Sequence, residues 1–132
     1  MSNEIGIHGN MFGGNMMSLI DEAGAVYACQ ICDTPRMVTI SIDKCFFERP
    51  AKEGSLIKIY GLPHKVGTTS ITMYMECRAH NVYTGEQKVI LRTNIKFVRI
   101  DEEGNAIPIS DRAKNRITKI INGETDITDK II

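Results

Sequence analysis

The chain has 132 residues, with sixteen basic and sixteen acidic side chains and a formal net charge of zero. That length suits one domain with a core of its own. The charge balance argues against a general binder of nucleic acid or of an anionic membrane surface. No apolar run approaches a membrane span and no signal peptide is recognisable, so a soluble, cytoplasmic protein without membrane insertion is expected.

The segment from Gly9 to Ile31 opens with glycines and then reads as a helix. Apolar residues recur at Met16, Leu19, Ile20, Ala23, Val26 and Tyr27, which is helical spacing. The other side carries small or weakly polar groups such as Asn15, Ser18, Gly24 and Ala25, so the helix is expected to be buried nearly all round. Asp21 and Glu22 are its only charged residues. A carboxylate in such surroundings must be paired, reach an interface, or do chemistry. Gly13 and Gly14 are expected just before the helix, where backbone N–H groups are unpaired and the dipole favours negative charge.

Asp33 to Arg36 reads as a turn. Val38, Ile40 and Ile42 then alternate with Thr39, Ser41 and Asp43, the pattern of a half-buried strand. Pro50 and Gly54 interrupt the next stretch, and Ser55 to Gly61 is a second strand. Lys65 to Thr68 reads as the turn that follows. Ile71, Met73, Met75 and Cys77 mark one face of a long strand, and Thr72, Tyr74, Glu76 and Arg78 the other. After a hairpin turn at Thr84–Glu86, Val89, Leu91, Ile95 and Phe97 are expected on the inner face of a last strand, closed by Asp101–Asn105. Its other face carries Lys88, Arg92, Asn94 and Lys96, a pattern more typical of a solvated strand face than of a nucleotide site. Ser110 caps a terminal helix with Ala113, Ile117, Ile120 and Ile121 on one side.

One helix followed by about four hairpin-linked strands is an α+β arrangement, an antiparallel sheet against a single helix. The main domain is placed at residues 1–109, with a C-terminal helical extension and tail at 110–132. One helix does not cover both sides of such a sheet. With Tyr74, Ile90 and Val98 on the outer face, dimerisation is expected. Cys29 and Cys32 form a CxxC near the end of the helix, not at the N-terminus where a redox pair belongs. Without a second close pair or histidines they make no zinc site, so the four cysteines read as soft core residues and no metal is expected.

In order along the chain, HGNMFGG (His8 to Gly14), IDEAGA (Ile20 to Ala25), MVTISID, FERP (Phe47 to Pro50), KVGTTS (Lys65 to Ser70) and the ending FVRIDEEGNAIPI resemble the hotdog-fold acyl-CoA thioesterases, in the branch of the cytosolic acyl-CoA hydrolases. The resemblance covers about residues 6–109. It implies a long helix wrapped by a curved antiparallel sheet, paired into dimers with active sites between subunits, often as a hexameric trimer of dimers. It implies hydrolysis of acyl-CoA to a free acid and coenzyme A without a metal or separate cofactor.

Thioester hydrolysis needs an activated water or a nucleophile, and stabilisation of charge on the carbonyl oxygen. The resemblance puts Asp21 in the first role, as general base or nucleophile, and Gly13 and Gly14 suit the second. His8 falls beside the glycine that Gly9 matches, at the rim of the cleft or orienting water. Gly67, Thr68, Thr69 and Ser70 match a segment running beside coenzyme A, with Arg49 and Lys65 supplying charge; an ordinary threonine-rich hairpin is the competing reading there. One departure stands out: many relatives carry an asparagine three residues before Gly9, where this chain has Gly6. It keeps two alternatives in view, a non-catalytic acyl-CoA-binding protein and, less favoured, a hydratase or dehydratase. The latter wants a histidine–acid pair, and the Asp21 helix has no histidine.

Overall fold

The computed structural model describes residues 12–48 and 54–124. Its elements run α1 (Phe12–Cys32), β1 (Met37–Ile42), β2 (Phe46–Phe47), β3 (Leu56–Val66), β4 (Ser70–His80), β5 (Gln87–Arg99) and α2 (Asp111–Ile121). The sheet is antiparallel with order β1-β5-β4-β3, and β2 pairs with β5 beside β1. This is the expected α+β arrangement: α1 lies against one face of the sheet.

The inner face of β4 follows the expected alternation, with Ile71, Met73, Met75 and Cys77 fully buried. They meet Met16, Ile20, Ala28 and Ile31 of α1. Helix and sheet come closest at two glycines. A Cβ on Gly24 would lie 2.9 Å from the tip of the Phe97 ring, and one on Gly61 would lie 2.5 Å from the Tyr27 ring. The Tyr27 hydroxyl, placed by that second contact, donates to the Ile59 carbonyl at 2.9 Å.

Within one protomer α1 is not buried all round. Met16, Ile20, Gly24 and Ala28 form the buried stripe, whereas Ser18, Glu22 and Val26 are exposed, Val26 by 62%. Low charge in the sequence did not by itself mark burial: the side of α1 turned from the sheet carries Ser18, Glu22 and Val26 and is left uncovered by the described residues.

Three bulges correct the strand readings. On β1, Thr39 faces Phe97 and Ser41 faces Lys96, so Ile40 is the inserted residue. Val38, Ile40 and Ile42 therefore do not share one inner face. All three are exposed by more than a third, and Thr39, opposite the buried Phe97, points to the helix side. On β5, Leu91 pairs with Cys77 and Val89 with Arg78, so Ile90 is the inserted residue. Ile90 is 1% exposed, not an outer-face residue as expected, and Val89 pairs with the outer-face Arg78 rather than joining the inner row. The third bulge, at Pro63–Lys65, lets the edge strand β3 run through Pro63 to Val66 instead of stopping at Gly61. The turn is accordingly residues 67–69.

Ser110 caps α2 as expected, its hydroxyl accepting from the Ala113 N–H at 3.2 Å. Ala113, Ile117 and Ile120 join the main core, but Ile121 is 37% exposed. Arg116 of α2 donates to the Ile31 carbonyl and pairs with Asp33 at 3.1 Å. Asp33 itself has φ 56°, the left-handed turn that ends α1. A cation at that end also complements the helix dipole. Cys29, Cys32, Cys45 and Cys77 are free. Burial pushes the Cys32 and Cys77 thiols up to about 12, the behaviour of inert core residues.

Candidate active site

Asp21 sits near the middle of α1, half-buried, and the adjacent Glu22 is turned out to solvent. The Thr39 hydroxyl donates to Asp21 Oδ1 at 2.7 Å. The inserted Ile40 adjoins Thr39 and shifts the strand register at this point. Bulges next to reactive groups commonly re-aim a side chain in this way. One carboxylate oxygen is thus held, and Oδ2 has no such bond to a described residue. The carboxyl group is oriented without being sealed into the core.

Thr39 was not legible as a site residue. It lies within a run that alternates like an ordinary strand, and only the bulge turns it toward Asp21. No local sequence signal marks that bulge.

Gly13 and Gly14 fall within the first turn of α1 rather than before it, since the helix starts at Phe12. Their N–H groups remain among those with no partner inside the helix. At 1.5 Å per residue they lie about 10–12 Å along the axis from Asp21, and helix N–H groups point toward the N-terminal end, away from it. A donor must lie about 3 Å from the oxyanion, and a base within reach of the attacking water, so these two groups of one chain do not meet on one carbonyl.

The β3–β4 turn is tightly built. The Gly67 N–H donates to the Ser70 carbonyl at 2.8 Å, and the Thr68 and Thr69 carbonyls accept from Ile109 and Arg99. Ser70 and Val38 both face Val98, so the turn lies at the same end of the sheet as Thr39, two strands over, or about 10 Å. Lys65 is exposed beside it. His8 and Arg49 lie outside the described residues, as do Gly6 and Gly9.

The outer face holds polar structure of its own. A cavity of about 610 Å³ is lined by Lys44, Tyr74, Arg92 and Asn94 among others, with Arg92 paired to Glu48 at 2.7 Å. Tyr74 donates to Glu76 at 2.6 Å, and burial followed by that bond lifts its hydroxyl above the usual value. Burial alone would raise Glu76, but the bonds from Tyr74 and Arg78 hold it below the usual carboxylate range. None of the described residues predicted for the catalytic or coenzyme A site lines this cavity; Tyr74, Arg92 and Asn94 belong to the strand faces read as outer. Among the described residues no group of three or more His, Cys, Asp or Glu side chains is placed to hold a metal ion, and no helix is long and apolar enough to cross a membrane.

A family model described as Thioesterase superfamily matches residues 8–86. The acyl-CoA thioester hydrolase YciA of Escherichia coli K12 is 31% identical over 107 residues, which are 77% of this chain and 80% of that protein. Among solved structures, an aspartate-to-alanine variant of HI0827, a hexameric broad specificity acyl-coenzyme A thioesterase, matches with TM-score 0.78 at 27% identity, covering 85% of this chain and 84% of that one. Cj0915 of Campylobacter jejuni, a hexameric hotdog fold thioesterase, matches with TM-score 0.72 at 32% identity, covering 81% and 82%.

Proposed function

The chain belongs to the thioesterase superfamily and is an acyl-CoA thioesterase of the hotdog fold; we propose that Asp21 is the group that activates water in its reaction. The observation that carries this assignment is the Thr39–Asp21 bond, which fixes one oxygen of a half-buried carboxylate and leaves the other for water. Asp21 takes a proton as the water oxygen bonds to the thioester carbon. Backbone N–H groups at an α1 N-terminus receive the charge on the carbonyl oxygen. The tetrahedral intermediate then expels coenzyme A as its thiolate, to which Asp21 returns the proton.

Because Gly13 and Gly14 lie too far along the same helix, the N–H donors come from a second copy. Gly13, Met17 and Asp21 fall four residues apart on one stripe of α1. Two such helices packed antiparallel about a two-fold axis put the glycines of each against the Asp21 of the other. The exposed apolar residues Val26, Val38 and Ile40 are consistent with surface awaiting a partner. The working unit is a homodimer, and three such dimers make a hexamer, the assembly size of the matched HI0827 and Cj0915. His8, Arg49, Lys65 and the 67–70 turn are assigned to the substrate's rim and coenzyme A arm. The reaction as written uses no cofactor beyond the coenzyme A of the substrate. Acyl-CoA chemistry and four free thiols fit a cytoplasmic setting.

The test is turnover of an acyl-CoA panel, followed with a thiol reagent, on wild type and Asp21→Asn. The variant is expected to fold and bind coenzyme A while kcat falls about a hundredfold or more. Near wild-type turnover would remove Asp21 from the chemistry. If wild type binds coenzyme A but turns over nothing, the binding-protein alternative raised by Gly6 takes its place.

A further inference from the structure

Two stretches of chain run alongside each other from Asp21. On α1, Met17 lies one turn before Asp21 on the same side, and both are half-buried. Opposite, the chain passes from Thr39 through Ile42 to Cys45, whose Sγ lies 2.9 Å from the Met17 Sδ. Ile42 faces the buried Ile95 across the β1–β5 ladder, so it too is on the helix side, yet it stays 38% exposed. The polar pair Asp21–Thr39 thus stands at one end of a strip whose other end is a thioether, a thiol and a branched alkyl group. Met17 and Cys45 pack on the core without being enclosed by it. The neighbouring Met16 differs: it is fully buried and fixed against Cys77, 3.0 Å from Sδ to Sγ. Met16 belongs to the floor; Met17, midway between Gly13 and Asp21 on the stripe that the proposed dimer brings together, lies on the more open side beside Cys45.

A thioester reacting at Asp21 must lay its tail on apolar surface, and this strip adjoins the carboxylate. Unbranched thioethers repack readily around different shapes. We infer that Met17 and Cys45 form the acyl-contact wall and set the range of chain lengths accepted. This rests on the thioesterase reading above.

The test compares kcat/KM for acetyl-, hexanoyl- and dodecanoyl-CoA in wild type, Met17→Phe, Met17→Ala and Cys45→Leu, with the oligomeric state of each checked by light scattering. Met17→Phe and Cys45→Leu are expected to lower the dodecanoyl-to-acetyl ratio about tenfold or more, and Met17→Ala to raise it. Cys45→Leu keeps the test decisive if Met17→Phe fails to fold. Ratios unchanged within about twofold in every folded variant would overturn the assignment. So would a uniform loss at all lengths with a dissociated dimer, which would make Met17 and Cys45 subunit contacts only. Wild type inactive on every acyl-CoA would instead overturn the thioesterase reading, and this inference with it.

Discussion

A site shared between two helices makes a prediction that a site within one chain cannot meet. Asp21→Asn removes the base. Gly14→Pro removes a first-turn N–H with little harm to the helix, because proline is tolerated where that N–H has no intrahelical partner. Each variant alone should be nearly inactive. In the proposed dimer, the separation of about 10–12 Å between the glycines and Asp21, with the N–H groups aimed the other way, makes each complete site draw on both chains. In a heterodimer of the two variants, one site then holds both lesions and the other holds none. Random reassembly through an isologous interface makes half of the dimers mixed, each with one sound site. Activity should therefore return to about a quarter of the wild-type value. The assay is acyl-CoA turnover after the two variants are unfolded together and refolded, against each refolded alone. Mass spectrometry of the intact assembly confirms mixing. No recovery in demonstrably mixed dimers would refute the shared site and with it the antiparallel α1 pairing.

Thr39→Val keeps the shape of the side chain but deletes its bond to Asp21. A hydrogen bond to a charged group is worth about 1.5–3 kcal/mol, so kcat/KM should fall roughly ten- to a hundredfold while the denaturation midpoint moves little; unchanged kinetics would make the bond incidental. Gly24→Ala gains about 1 kcal/mol of helix propensity but drives a Cβ against the buried Phe97 ring, and overpacking costs about 1–3 kcal/mol. A net loss should appear in denaturant unfolding, whereas a gain would show that the helix can lift from the sheet at no cost. Lys65→Glu should raise KM for acyl-CoA more than it lowers kcat, and less so for short thioesters lacking the nucleotide. Equal effects on both substrate types would take the 65–70 segment out of the coenzyme A site.

The sequence revealed the parts of this fold whose physics is local and periodic. Ile71, Met73, Met75 and Cys77 alternate without interruption, so the inner face of β4 is where the pattern puts it. Ser110 announces α2 because a cap is a property of a few adjacent residues. The errors in strand facing share one cause. A bulge inserts a single residue, and every side chain beyond it changes face, so Ile90 went inward and the β1 run lost its single apolar side. The same mechanism hid Thr39, which no spacing rule assigns to Asp21. The site therefore divides by the range of the forces that build it. Asp21 stood out because two adjacent carboxylates in an otherwise uncharged helix are conspicuous in a string of letters, and the family motif points to the first of them. Its hydroxyl partner depends on strand register, and in the proposed site its N–H donors depend on a second chain. The family resemblance already implied that second dependence, and the fixed rise per residue that separates Gly13 and Gly14 from Asp21 along one helix supplies its physical reason.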